Sequence, residues 1–145
     1  MKIVIDTNVL VAALINPHGS PAGVLNCVFS NLVYPCFDAR IIDEYERVLQ
    51  RPRFRFRSDD VRALLDFFVR AGFPVTPEPV SLELPDPSDL PFVEVARATD
   101  SPIVTGNVRH FPSNFVTVLS PAALLEIVHR RASRAVLAGR TSRRQ

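Results

Sequence analysis

The sequence contains a single lysine, Lys2, among 145 residues, and this scarcity limits the phosphate chemistry open to the chain. Several phosphoryl-transfer folds begin with a strand ending in aspartate but also require a lysine, and a Gly-Lys-Ser/Thr phosphate-binding loop is absent. The Gly-x-Ser-x-Gly turn that carries the nucleophile of many serine hydrolases is absent as well. These absences disfavour phosphotransferases, nucleotide-binding loop proteins and hydrolases of that serine class.

Cysteine and histidine are also few. The two cysteines, Cys27 and Cys36, lie in apolar segments where a free thiol behaves as a small hydrophobic group, so we expect no disulfide. The three histidines, His18, His110 and His129, do not show the close paired spacing that zinc ligands use. The sequence therefore does not favour a zinc protein.

Long apolar runs are missing. None approaches the roughly 18 residues that a membrane helix requires. The N-terminus reaches Asp6 after only three apolar residues, whereas a secretory signal needs about 7 to 15. A hydrophobic fraction of 47% with 22% charged residues is ordinary for a soluble protein, and the length suits one domain. We expect a cytoplasmic protein that does not associate with membranes.

Negative charge is missing from the C-terminal end. Beyond Glu126 there is no acidic residue, although the net charge of the whole chain is only +2. The same segment contains six arginines, which are Arg130, Arg131, Arg134, Arg140, Arg143 and Arg144. We therefore predict one domain over residues 1–129 and a flexible basic extension over residues 130–145 that suits a polyanion.

Apolar strand patterns alternate with helical patterns along the chain, which indicates an α/β fold with a mainly parallel sheet. Helix start signals are clear at Asp38 and at Ser120 followed by Pro121. The predicted strands cover residues 1–6, 32–37, 103–105 and 115–119, with a short edge strand near 75–80. The predicted helices cover about 7–14, 21–29, 39–50, 58–71 and 88–99, and a last helix begins at 121.

Polar triplets follow two of the predicted parallel strands. Asp6, Thr7 and Asn8 come after the first strand, and Thr105-Gly106-Asn107 follow the strand at 103–104. Ligands of open parallel sheets bind beyond the carboxyl ends of the strands, so both triplets point to one crevice. Each triplet taken alone is equally well explained as a helix cap or a turn. A carboxylate at the margin of a core needs a partner or a metal ion, and a divalent-cation site is our leading interpretation.

Two further segments add carboxylates. In the helix at 39–50, Glu44 and Glu46 flank the apolar stripe at similar angles, and the periodicity does not choose between them. At the start of the helix at 88–99, Asp89 lies on the apolar side and Asp86 is three residues earlier. Interaction with the helix dipole explains one carboxylate there but not two, and a pair of like charges modestly favours a metal. Glu94 is expected on a different, solvated face.

The order of these motifs resembles the PIN-domain family, in particular its small prokaryotic members that act as toxins of type II toxin-antitoxin pairs (VapC-like). The resemblance covers roughly residues 1–125. It is carried by four segments, which are Ile3-Val4-Ile5-Asp6-Thr7-Asn8-Val9-Leu10, Glu44-Tyr45-Glu46-Arg47-Val48-Leu49, Asp86-Pro87-Ser88-Asp89 through Ala96, and Ile103-Val104-Thr105-Gly106-Asn107.

The resemblance implies a three-layer α/β/α sandwich whose acidic cluster binds Mg²⁺ or Mn²⁺ and hydrolyses phosphodiester bonds in RNA. By position it implies catalytic roles for Asp6, Glu44 and Asp89, with Asp86 as an additional metal ligand beside Asp6 and Asp89. Auxiliary positions are Thr7, Asn8, Thr105 and Asn107, and Asn107 stands where many members carry a fourth aspartate. A cognate antitoxin and a homodimer are the implied protein partners.

RNA is expected to contact arginines, including Arg51 and Arg53, although a solvated loop also explains the arginine run at 51–57. Because Asn107 removes one negative charge, an alternative function remains open. In that alternative, the protein is a catalytically weak PIN-like module that binds RNA or another protein.

Overall fold

The central strand of the computed structural model, which describes residues 1–144, is β1 (Lys2–Ile5). Its three apolar residues are fully buried, as expected for a strand inside a parallel sheet. It pairs in parallel with β2 (Tyr34–Phe37) through Ile3 and Pro35, and with β4 (Ile103–Val104) through Val4 and Ile103.

Two short strands complete a five-stranded sheet with the order β3-β2-β1-β4-β5, and every pairing is parallel. β3 (Phe73–Pro74) lies beside β2, and β5 (Val118–Leu119) lies beside β4. The predicted parallel α/β sheet is confirmed.

All five strands are shorter than predicted, and local backbone features explain the three largest differences, which concern β2, β3 and β5. The amide of Leu32 donates to the carbonyl of Cys27 at 2.9 Å, so β2 begins only at Tyr34. The amides of Phe115 and Val116 both turn back to the carbonyl of Pro112, which delays β5. The edge strand expected near 75–80 lies at Phe73–Pro74, because the prolines that follow cannot donate to a ladder.

Six α-helices within residues 1–144 connect and cover the strands: α1 (Thr7–Ile15), α2 (Ser20–Phe29), α3 (Ala39–Leu49), α4 (Ser58–Ala71), α5 (Leu90–Thr99) and α6 (Pro121–Ser142). The predicted caps are present, since Asp38 accepts a hydrogen bond from the amide of Ile41 and Ser120 accepts one from that of Ala123. The helix predicted from residue 88 is divided into a 3₁₀ turn, Pro87–Asp89, and α5.

The helices form two packed groups around the sheet, which gives the predicted three-layer α/β/α sandwich. α2 packs against α1 and α6, whereas α3 packs against α4 and α5. Between α3 and the sheet, the buried hydroxyl of Tyr45 donates to the carbonyl of Ile5, the last residue of β1. This bond attaches the middle of α3 to the carboxyl end of the central strand.

The basic extension is helical where it is described. α6 continues to Ser142, and every residue from 129 to 144 is exposed, whereas Gln145 lies outside the described residues. Alanine and arginine are strong helix formers, which explains why this polar segment continues the helix instead of fraying. Its flexibility relative to the domain stays a prediction. Among the described helices, none combines the length and hydrophobicity needed to cross a bilayer.

Candidate active site

A cleft of about 590 Å³ opens at the carboxyl ends of β1 and β4. Clefts of about 570 Å³ exist elsewhere on the described surface, so volume alone does not distinguish this one. Its composition does, because four carboxylates from three segments line it, namely those of Asp6, Glu44, Asp86 and Asp89. The predicted crevice therefore exists, and these carboxylates lie in it.

Asp6 is buried at the end of β1, where the hydroxyl of Thr105 donates to its Oδ2 at 2.7 Å. Thr105 is itself fully buried at the end of β4, and its Oγ1 accepts the amide of Asn107 at 3.0 Å. Burial raises the pKa of Asp6, while the bond from Thr105 opposes that rise. The two strand ends therefore hold one desolvated carboxylate in a fixed position.

The structure distinguishes the two glutamates that periodicity could not. Glu44 accepts a hydrogen bond from the hydroxyl of Thr7, the first residue of α1, and faces the cleft. Glu46 lines a separate cleft together with Arg62 and Asp66. The buried Tyr45 between them fixes the rotation of α3, because its hydroxyl is bonded to β1. Glu44 is therefore the helix carboxylate that belongs to the site.

The acids before α5 have opposite environments. Asp89 is half-buried, and its pKa is raised to about 7, first by burial and then by the charges of Asp6, Asp86 and Glu44. Asp86 is exposed, and its pKa is lowered because its Oδ1 accepts from the amide of Ser88 at 3.0 Å and from its hydroxyl at 2.7 Å. Asp86 thus caps the 3₁₀ turn that positions Asp89.

The donor set fits a hard divalent cation. All four carboxylates offer oxygen ligands, and the pKa values of Asp6 and Asp89 are raised, first by burial and further by the charges of neighbouring carboxylates. Within residues 1–144, no three Asp, Glu, His or Cys side chains are grouped closely enough to coordinate one ion together. Mg²⁺ usually keeps several waters and is bound by one or two carboxylates, so a wider cluster suits it.

The predicted auxiliary residues join the loops around these acids. The Oδ1 of Asn8 accepts the amide of Gly106 at 3.3 Å, which links the two strand-end loops. Asn107 lines the cleft, and its Nδ2 lies 3.0 Å from Nε2 of His110, which lines the cleft as well. His110 was not predicted to belong to the site. Its only signal was its position three residues after Asn107, at the end of the 3₁₀ turn Val108–His110.

Arginines line the cleft beside the acids. Arg51 and Arg53, both predicted to contact RNA, lie there together with Arg47 and Phe54. Arg55 and Arg57 are not part of the lining. Positive side chains next to a carboxylate cluster are suited to a polyanionic ligand whose reacting group lies among the acids.

The solvated position predicted for Glu94 is wrong. Glu94 is buried, its Oε1 accepts from Nη1 of Arg40 at 2.8 Å, and its Oε2 accepts the amide of Val80 at 2.7 Å. Arg40 also binds Asp38 at 2.6 Å. The amphipathic pattern of α5 could not show this, because the partners are a loop amide and a side chain from another helix. Glu94 thereby connects α3, α5 and the proline-rich segment at 75–85.

We expect Glu94→Ala to lower the free energy of unfolding by about 2 to 3 kcal/mol, because it removes two hydrogen bonds to a buried charged acceptor. Urea denaturation measures the change. Glu83→Ala is a matched control, since Glu83 is an exposed acid in the same proline-rich region. An equal loss of stability in the two variants would show that the contacts of Glu94 contribute nothing specific.

The chain is similar to known proteins in its sequence pattern, in its overall sequence and in its fold. The sequence pattern of the PIN domain matches residues 2–109. An uncharacterized protein of Methanocaldococcus jannaschii is 30% identical over 110 residues, which cover 74% of this chain and 71% of that protein. The PIN-domain match includes the carboxyl ends of β1 and β4, α3 and the segment with Asp86 and Asp89.

Solved structures share the fold at low sequence identity. FitAB bound to an IR36 DNA fragment superposes with a TM-score of 0.59 and 18% identity, covering 83% of this chain and 95% of that one. VapBC2 from Rickettsia felis, bound to a DNA fragment from its promoter, gives a TM-score of 0.54 at 14% identity, with 83% and 98% coverage. FitAcB from Neisseria gonorrhoeae gives 0.54 at 16% identity, with the same coverage.

Proposed function

The chain belongs to the PIN-domain family, and from that premise we propose that it is a metal-dependent endoribonuclease that hydrolyses phosphodiester bonds in RNA. One observation carries the proposal. Carboxylates from β1, α3 and the turn before α5 line one cleft at the edge of the sheet, and two of them have raised pKa values. Such an arrangement is costly for a protein and is characteristic of a functional site.

Asp6, Asp89 and Asp86 would hold the cation, which we propose to be Mg²⁺ or Mn²⁺, in part through waters that the ion retains, because no three acids within residues 1–144 are close enough to bind one ion together. When bound, such an ion activates water at neutral pH and offsets negative charge on the phosphoryl group. Asp6 is suited to ligation because the hydrogen bond from Thr105 fixes its carboxylate in the lining of the cleft. Asp86 contributes a carboxylate that stays ionised, since its lowered pKa follows from the two bonds with Ser88.

Glu44 would orient the attacking water. Its Oε2 accepts the hydroxyl of Thr7, so the side chain is fixed while its other oxygen can accept a hydrogen bond from water. Asn8 and Asn107 would keep the two loops at their spacing, and the neighbouring arginines Arg51 and Arg53 would bind the RNA beside the cleaved bond.

We further propose that the protein is the toxin of a type II toxin-antitoxin pair, that it acts in the cytoplasm, and that it forms a homodimer and binds a cognate antitoxin. The support is the family together with the shared fold of VapBC2 and FitAB, both of which were solved as complexes. Residues 1–129 would be the nuclease domain, and residues 130–145 would add a basic surface for RNA.

The alternative is a catalytically weak PIN-like module that binds RNA or protein. Asn107 favours it, because this residue of the cleft lining is an amide where many members of the family carry an aspartate. One assay distinguishes the two functions. Cleavage of a mixed RNA pool in Mg²⁺ or Mn²⁺ that stops on addition of a chelator supports the enzyme, whereas binding without any cleavage supports the module.

Deletion of residues 130–145 should weaken RNA binding and leave the domain folded, because the six deleted arginines are exposed and four of them lie on the exposed end of α6. Each lost phosphate contact should make the slope of log affinity against log salt shallower by about 0.7. Titrations at several salt concentrations measure the slope. A full-length variant with these arginines changed to glutamine distinguishes the loss of charge from the loss of the segment itself. If the salt slope were unchanged in the deletion and in this variant, the extension would not bind RNA.

A further inference from the structure

The segment from Arg51 to Arg57, Arg-Pro-Arg-Phe-Arg-Phe-Arg, alternates positive and aromatic side chains and contains no acid. It begins with the 3₁₀ turn Pro52–Phe54. Arg55 then adopts the left-handed conformation, with φ 56° and ψ 28°, although it is not glycine. Such a conformation costs free energy and often marks a functional loop.

The turn creates a stack of flat groups. The rings of Phe54 and Phe56 are nearly parallel, with an interplanar angle of 12° and centroids 5.4 Å apart. The guanidinium carbon of Arg53 lies 4.8 Å from the centroid of Phe54. Phe56 packs against the hydrophobic core, which anchors the stack, whereas Arg53 is exposed.

This stack adjoins the acidic cleft. Arg53 and Phe54 both line it, and Phe54 is the only phenylalanine, tyrosine or tryptophan in the described lining. Val11 and Ile15 provide further apolar lining, and Ile15 is 61% exposed. Phosphates alone do not require apolar and aromatic surfaces. The combination of flat rings, a guanidinium plane and apolar side chains instead matches an unpaired nucleobase.

We propose that Arg53, Phe54 and Phe56 form a stacking platform that binds one unpaired base of single-stranded RNA next to the carboxylate cluster. The base stacks on the layer formed by the guanidinium of Arg53 and the ring of Phe54, while Arg51 binds a flanking phosphate. A base inside a duplex has no free face, so the platform selects single-stranded substrate. The proposal rests on the proposed ribonuclease function.

The test combines a protein variant with a modified RNA. Binding of a short single-stranded RNA is measured in chelator, which keeps the RNA intact, and one base at a time is replaced by an abasic residue. For the wild type, one abasic position should weaken binding by about 5- to 100-fold, the range that stacking of one base contributes. The Phe54→Leu variant should bind intact RNA more weakly than the wild type by the same factor. The abasic residue at that position should then weaken its binding no further.

Three variants make the result specific. Phe54→Tyr keeps the flat ring and should behave as wild type. Arg53→Lys keeps the charge but loses the guanidinium plane, and should lose part of the abasic sensitivity. Phe115→Leu is the matched control, because Phe115 also lies under an arginine, with the Cζ of Arg97 4.3 Å from its ring, but it lines a different cleft.

The outcomes separate this proposal from the nuclease itself. Loss of abasic sensitivity in Phe54→Leu, with retention in Phe54→Tyr and Phe115→Leu, supports the platform. If Phe54→Leu binds every RNA as the wild type does, and the wild type cleaves RNA in Mg²⁺ or Mn²⁺, the platform is refuted and the nuclease stands. If the wild type neither binds nor cleaves RNA, both proposals fail.

Discussion

Asp6→Asn and Asp89→Asn should each reduce metal-dependent RNA cleavage by about 10³-fold or more. Each change removes a carboxylate charge from the proposed metal site with almost no change in side-chain volume, and loss of the ion's stabilisation of the reacting phosphoryl group costs several kcal/mol, at about 1.4 kcal/mol per tenfold in rate. Initial rates on a defined RNA in Mg²⁺ and in Mn²⁺ measure the effect. Wild-type rates in either variant would remove that residue from the site.

Two comparisons distinguish a loss of catalysis from a loss of folding. Glu44→Gln should also impair cleavage, whereas Glu46→Gln, two residues away on α3 but in another cleft, should not. Without metal, Asp89→Asn should be more stable than the parent, because it relieves burial of a charge beside Asp6 and Glu44. We expect the free energy of unfolding to rise by only about 1 kcal/mol, because water screens the charge of a half-buried carboxylate. If Asp89→Asn were instead less stable than the parent, its loss of cleavage would be attributed to misfolding.

The sheet was predictable because its central strands are continuous apolar runs and because helix caps such as Asp38 and Ser120 have local signals. The strand ends were less predictable. The start of β2 depends on amides that turn back to Cys27, and the start of β5 depends on those that turn back to Pro112. These bonds have no signature in hydrophobic periodicity. The helical state of residues 130–142 was missed for a related reason, since a polar, exposed helix has little apolar pattern.

The acids of the cleft could be named from sequence because three of them directly follow a strand or precede a helix, where the fold fixes their position. Periodicity did not choose Glu44 over Glu46, although the family resemblance did. The bond from Tyr45 to Ile5 sets the rotation of α3 that turns Glu44 to the cleft. The position of Glu94 was predicted wrongly because no local signal indicates its burial. Its burial depends on Arg40 and on the amide of Val80, and both partners are distant in sequence.

Asn107→Asp should tighten divalent-metal binding by about 10- to 100-fold, because it adds a carboxylate to the edge of the cleft at nearly constant shape. Without metal, the variant should be less stable than the parent, since like charges in one site raise each other's pKa and oppose folding at neutral pH. The contact between Asn107 and His110 limits this cost, because the imidazole can donate to the new carboxylate. Bound metal should then stabilise the variant more than the parent by mass action.

A metal titration of the melting temperature in both proteins tests this expectation. Asn114→Asp is the matched control, because Asn114 is exposed and lines a different cleft, so the same substitution there should leave the metal response of the parent unchanged. An Asn107→Asp response equal to that of the parent would place residue 107 outside the metal site. A larger response with faster cleavage would mean that the natural asparagine restrains a nuclease whose other carboxylates suffice for catalysis. A larger response with unchanged cleavage would mean that chemistry is limited by a step other than metal binding.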